Sequence, residues 1–117
     1  MPERSSSSVR VFYPRFDRAW LLQALRARVE RLRALLPVRQ VVLFGSYARG
    51  RSTVGSDVDL LVVYDDPPRA DAYALVKQTL EIPRLQPHLY TASQCEALAP
   101  TLARMVAGGI VVFPREP

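Results

Sequence analysis

What this sequence lacks narrows its possibilities first. It holds one cysteine, Cys95, so no internal disulfide is possible, in agreement with a reducing compartment. None of its apolar runs, "VVLFG", "DLLVVY" or "GGIVVF", approaches the roughly 20 residues needed to span a bilayer. The start, "MPERSSSSVRV", lacks the apolar stretch of a secretory signal. These absences argue against a membrane role and predict a soluble cytoplasmic protein. Asparagine is missing and Lys77 is the only lysine, a bias that fits a GC-rich genome and heat tolerance and carries no information about activity.

What remains is arginine and a large apolar fraction. The 117 residues are 49% hydrophobic with a net charge of +5, which suits one compact domain with room for a single core and a single site. Residues 1–39 carry nine arginines against Glu3, Asp17 and Glu30, so the basic part is the N-terminal part. Such a surface attracts nucleic acid, nucleotides or acidic proteins, although most helical charge runs are solvated faces.

Patterning divides the chain. Residues 1–15 read as a mobile tail or an edge strand, with "VRVFY" ended by Pro14, and residues 16–117 as the domain. Beyond Asp17, an N-cap, the residues Trp20, Leu21, Leu25, Val29, Leu32, Leu35 and Leu36 recur at helical spacing up to Pro37 and are expected in the core. "VRQVVLF" and "DVDLLVVY" read as strands. "RADAYALVKQTL" suits a helix, and "RLQPHLY" a weaker strand in which Pro87 implies an edge or a bulge. "SQCEALAPTLARMVA" reads as a helix kinked or interrupted by Pro100, ended by Gly108 and Gly109 before a last strand, "IVVF".

The informative stretch is "FGSYARGRSTVGSDVDLLVVY", Phe44 to Tyr64. Successive strand residues alternate between faces, so Asp57 and Asp59 share a face while Val58 points to the core. Two carboxylates on one face repel unless a cation sits between them, and hard divalent ions such as Mg2+ prefer such oxygen ligands. Gly45 lets the backbone come close to a ligand, and Ser46 offers a hydroxyl and an N–H where a short helical turn begins, a ready place for an anion. For the end of one strand to meet the start of the next, the two must run antiparallel, with ten residues between Ser46 and Asp57 as the loop. A phosphate cradle facing a metal-binding carboxylate pair is equipment for phosphoryl or nucleotidyl transfer.

Gly45-Ser46, "YARG", and "SDVDLLV" around Asp57-Val58-Asp59 resemble the signature of the polymerase-beta-type nucleotidyltransferase superfamily, in its minimal, single-domain branch. The resemblance implies an α+β fold, with a small mixed sheet and helices packed on one face. It implies that Gly45 and Ser46 hold the triphosphate of a nucleotide and that Asp57 and Asp59 bind two Mg2+ ions, with Mn2+ as a substitute. It also implies a third carboxylate on a later strand, which completes the metal site and deprotonates the attacking hydroxyl. Members of this branch are often antitoxins paired with a small helical HEPN-type protein, in some cases adenylylating it. The donor would then be a nucleoside triphosphate, ATP by expectation, and the acceptor a hydroxyl of the partner. A homo-oligomer stays open.

The third carboxylate is where this sequence departs, because no Asp or Glu occurs from Pro83 to Gln94. Gln86 and His88, on one face of a regular strand, hold the plausible positions. Glutamine is a neutral ligand and a poor base, whereas histidine can serve as base or ligand. Arg49 and Arg51, in the loop, are candidate phosphate contacts. Two readings follow, an Mg2+-dependent nucleotidyltransferase and a catalytically weak or inactive relative that neutralises or scaffolds a partner by contact. A nucleic-acid binder ranks last, for want of any recognisable motif.

Overall fold

A computed structural model describes residues 17–53 and 55–115; the tail or edge strand expected over 1–15 lies outside them. Helix α1 spans Arg18–Arg33, with Asp17 accepting from the Trp20 N–H at its start and Arg31 and Arg33 in its last turn. Both ends match what the helix dipole and the free backbone groups require. Strand β1 is Val38–Phe44, the four-residue turn α2 is Ser46–Arg49, and β2 is Val58–Tyr64. Helix α3, Ala72–Leu80, precedes β3, Leu85–Thr91. Helices α4, Ala92–Ala97, and α5, Ala99–Met105, lead to β4, Ile110–Phe113.

The four strands form one mixed sheet in the order β3-β2-β1-β4. Strand β1 lies antiparallel to both β2 and β4, whereas β2 and β3 run parallel across the α3 crossover. Pro87 sits in β3, an outer strand of the sheet, where a missing N–H costs least.

Burial follows strand alternation. Val58, Leu60, Val62 and Tyr64 of β2 join Val41 and Leu43 of β1 in a cluster with Leu21, Leu25, Val29 and Leu32 of α1 and Val76 and Leu80 of α3. Helices α1 and α3 thus cover one face. The opposite face is not bare: Val42, Phe44, Leu61 and Val63 make a second, smaller cluster with Cys95, Met105 and Val106 around α4 and α5. The central strands are apolar on both sides, so some cover there is required.

The expected core changes at two positions. Trp20 and Leu35 are 41% and 50% exposed rather than in the core, because the inward stripe runs Leu21-Leu25-Val29-Leu32 and on to Leu36 just past α1, and each of them lies one position off it. Trp20 instead carries the Arg28 guanidinium over its ring, 5.8 Å from the centroid. Tyr47 is buried in the main cluster and so anchors the loop that follows Gly45 to the core. Asp66 accepts from the backbone N–H and the hydroxyl of Ser93 and so ties the β2–α3 connection to α4. Helix α4 starts with a capping box between Thr91 and Gln94. The break expected at Pro100 occurs at Leu98, just before α5 places this proline in its first turn.

Candidate functional site

The site forms where β1 ends and β2 begins, an adjacency set by the antiparallel register that pairs Phe44 with Asp59. Beyond Phe44, Gly45 takes φ 80° and ψ −152°, a conformation essentially restricted to glycine. That swing starts α2, which Gly50 closes in the left-handed region, its N–H on the Ser46 and Tyr47 carbonyls. The turn is fixed from two sides. Tyr47 and Ala48 are sunk into the core, and Arg18 reaches from α1 to donate to the Ala48 carbonyl at 2.7 Å. Ser46 is left half-buried at the rim, with Arg49 and Arg51 exposed next to it.

Asp59 is half-buried against this turn: a Cβ at position 45 would lie 2.5 Å from Asp59 Oδ2. On its other side, Asp59 Oδ1 is 3.4 Å from His88 Nε2, and the His88 ring packs on Phe44 with centroids 5.1 Å apart. The parallel register places Gln86 opposite Asp59 and His88 opposite Leu61, so both β3 candidates share the face of Asp59. Gln86 is exposed; the imidazole is the one that reaches the carboxylate.

Asp57 lies just before β2, at the mouth of the site. A small turn presents it, in which Ser56 N–H donates to the Thr53 carbonyl and Thr53 N–H to the Ser56 hydroxyl. Its Oδ1 is 3.2 Å from Arg84 Nη2, and Arg84 is held there by its own carbonyl, which accepts from Val58 N–H at 2.9 Å. Arg84 has φ 60°, uncommon for a residue with a side chain.

The donor set suits a divalent cation. Two carboxylates on one face supply hard oxygen ligands, and the site already draws a positive group, the Arg84 guanidinium, to Asp57. Among the described residues no three His, Cys, Asp or Glu side chains converge as a finished metal pocket, and Asp57 is paired with Arg84. The structure thus brings Gly45, Asp59 and His88 into contact, sets Ser46, Asp57 and Gln86 at their margin, and leaves Arg49 and Arg51 on the outer side of the loop. Arg18 and Arg84 escaped the sequence reading. Position just before β3 was a faint signal for Arg84, but nothing in the sequence distinguishes Arg18 from its eight neighbouring arginines.

Comparison with known proteins points the same way. The family described as nucleotidyltransferase domain matches residues 25–107. A protein adenylyltransferase, MntA of Thermococcus cleftensis, is 37% identical over 57 residues, covering 49% of this chain and 58% of that protein; the chain thus matches somewhat over half the length of this relative. Among solved structures, a toxin-antitoxin with AMP-PNP is similar with a TM-score of 0.55 at 19% identity, covering 78% of this chain and 74% of the other. The complex of a tri-AMPylated HEPN toxin with its MNT antitoxin, from Shewanella oneidensis, is similar with a TM-score of 0.51 at 19% identity, covering 80% and 73%. At these identities the two structures speak for the fold. Among the described residues no helix is long and apolar enough to cross a membrane.

Proposed function

The chain belongs to the nucleotidyltransferase domain family, and from that premise we propose that it transfers AMP from ATP to a hydroxyl of a small helical HEPN-type partner, as the antitoxin of the pair. The observation that carries this reading is the contact between the glycine turn and the metal-type carboxylate, Gly45 against Asp59 Oδ2. It puts the turn that would bind phosphate against the carboxylate that would bind a cation. The adenylyltransferase name of the Thermococcus relative and the AMPylated toxin in the Shewanella complex support the choice of donor and acceptor.

Each part of the site has a task in this chemistry. Gly45 presents bare backbone to the triphosphate, and Ser46 donates to it from its hydroxyl and N–H. Arg49 and Arg51 add positive charge at the outer rim. Arg18 keeps the turn in place through the Ala48 carbonyl. Asp57 and Asp59 would hold two Mg2+ ions, or Mn2+, which when bound neutralise the phosphates and activate the attacking oxygen. Arg84, next to Asp57, is free to turn toward phosphate once that carboxylate is otherwise engaged. In the reaction the acceptor oxygen bonds to the α-phosphorus, the bond from that phosphorus to the bridging oxygen breaks, pyrophosphate departs and the hydroxyl proton is released to solvent.

A second reading, neutralisation by contact alone, draws on one feature: no carboxylate stands on β3. Incubating the chain with labelled ATP, Mg2+ and a small helical HEPN-type protein separates the two. Label on the partner that disappears with Asp57→Asn and Asp59→Asn supports transfer. Neutralisation without label, surviving the double substitution, would replace transfer by contact.

A further inference from the structure

We propose that His88 is itself a metal ligand, so that this site holds one of its ions with carboxylate oxygen and an imidazole nitrogen, and favours Mn2+ over Mg2+ more than an all-carboxylate site would. The inference rests on the metal-dependent reading above and goes beyond it in naming the third ligand and its consequence for the choice of ion.

Geometry comes first. Two donor atoms that share an ion at about 2.1 Å and stand at right angles are about 3 Å apart. Asp59 Oδ1 and His88 Nε2 are 3.4 Å apart, so a shift of a few tenths of an ångström brings both onto one ion. Neither group is sunk in the core, with side-chain exposures of 31% for Asp59 and 37% for His88. The Phe44 ring against the imidazole, tilted by 59°, limits how the histidine can turn. The parallel register, His88 opposite Leu61, keeps it on the carboxylate face. Gln86, on the same face, is exposed and carries no charge or basic nitrogen.

Ligand chemistry then gives the preference. Carboxylates suit Mg2+ and Mn2+ alike, whereas imidazole nitrogen suits the transition metals and is a poor ligand for Mg2+. Replacing a third carboxylate by histidine therefore weakens Mg2+ binding more than Mn2+ binding. A histidine that only hydrogen-bonds to Asp59 would orient the carboxylate without touching the ion, and would not shift the preference in this way.

The test uses the untagged full chain, in which His88 is the only histidine, so an imidazole nitrogen signal has one source. Mn2+ is titrated and its binding followed by electron paramagnetic resonance, with spin-echo detection of nitrogen coupled to the bound ion, with and without a non-hydrolysable ATP analogue. Expected are imidazole coupling in the wild type, its loss in His88→Gln with about a tenfold drop in Mn2+ affinity, and a Mn2+-to-Mg2+ affinity ratio that falls about tenfold in His88→Asp. Circular dichroism melts establish that both variants fold; if His88→Gln does not, coupling in the wild type and the ratio in His88→Asp decide. Mn2+ that binds through Asp57 and Asp59, is lost in the double asparagine variant, and shows no imidazole coupling overturns this proposal and leaves the metal-dependent reading standing. No Mn2+ or Mg2+ binding under either condition overturns both.

Discussion

Gly45 and Asp59 meet so closely that position 45 has no room for a side chain: an added Cβ would stand 2.5 Å from the Asp59 carboxylate. The glycine also holds φ 80° and ψ −152°, where other residues carry strain of about 1–3 kcal/mol. Gly45→Ala should therefore lower the melting temperature and weaken nucleotide binding at least about tenfold, the change from 1.4 kcal/mol. Calorimetry with a non-hydrolysable ATP analogue checks this, and affinity equal to the wild type would remove the turn from the site.

Asp57→Asn with Asp59→Asn should abolish metal-dependent nucleotide binding with the fold intact, since neither side chain belongs to the core. Repulsion between the two carboxylates, taken alone, predicts a gain in stability on neutralisation. Arg84 at 3.2 Å from Asp57 offsets that repulsion, so a melting temperature close to the wild type is expected. Global unfolding of the double variant would show the pair to be structural.

Arg84 holds Asp57 at 3.2 Å, and on the proposed function a metal ion would have to displace it. Both side chains are about half exposed, 55% and 50%, and exposed pairs contribute about 0.2–1 kcal/mol. Arg84→Gln should therefore raise metal affinity, in the absence of nucleotide, by at most about fivefold. With nucleotide present the gain should vanish or reverse, because a phosphate contact is lost. A titration of Mn2+ in both conditions decides; an equal rise in both would mean that Arg84 never leaves Asp57 for phosphate.

Arg18 acts on the site through the Ala48 carbonyl, at 2.7 Å. On the proposed function, Arg18→Leu should raise KM for ATP several-fold while kcat changes less, because the turn after Gly45 loosens and the carboxylates stay in place. Arg18→Lys should restore part of the loss. Unchanged KM in Arg18→Leu would leave the contact without a role in binding.

Acid should loosen the start of α4. The hydrogen bonds from the Ser93 hydroxyl and backbone N–H hold the Asp66 carboxyl below its ordinary value of 3.8. A carboxylate with a lowered folded pKa contributes stability that is present above its unfolded value and is lost as pH falls through the folded one. The Asp66 share should thus be complete above about pH 4 and fade below it. Asp66→Asn should show a flatter fall in melting temperature over that acid range than the wild type, and parallel curves would dismiss the linkage.

Much of the fold was legible because its elements obey simple periods. Asp17 caps α1, which ends at Arg33, short of the expected stop at Pro37, the last helical stretch breaks at Leu98 just before Pro100, and the ten-residue loop between Ser46 and Asp57 requires the antiparallel β1–β2 pair. Trp20 and Leu35 were misplaced because helical spacing tolerates a shift of one position, and only packing against the sheet selects which stripe turns inward. Cover on the second face was missed because α4 and α5 are too short to show an apolar stripe of their own.

The sequence by itself determined that the Gly45-Ser46 turn would lie beside the strand carrying Asp59 and that no acid would join from β3. Strand alternation and the absence of Asp and Glu between Pro83 and Gln94 need no coordinates. Tertiary structure alone decided that the His88 ring reaches the Asp59 carboxylate, that Arg84 pairs with Asp57 and that Arg18 holds the turn after Gly45. Alternation fixes the face on which a side chain lies but not how far it reaches. Contacts between residues 29 or 30 positions apart, as for His88 with Asp59 and Arg18 with Ala48, depend on how α1 and the α3 crossover pack on the sheet, and no local pattern encodes that.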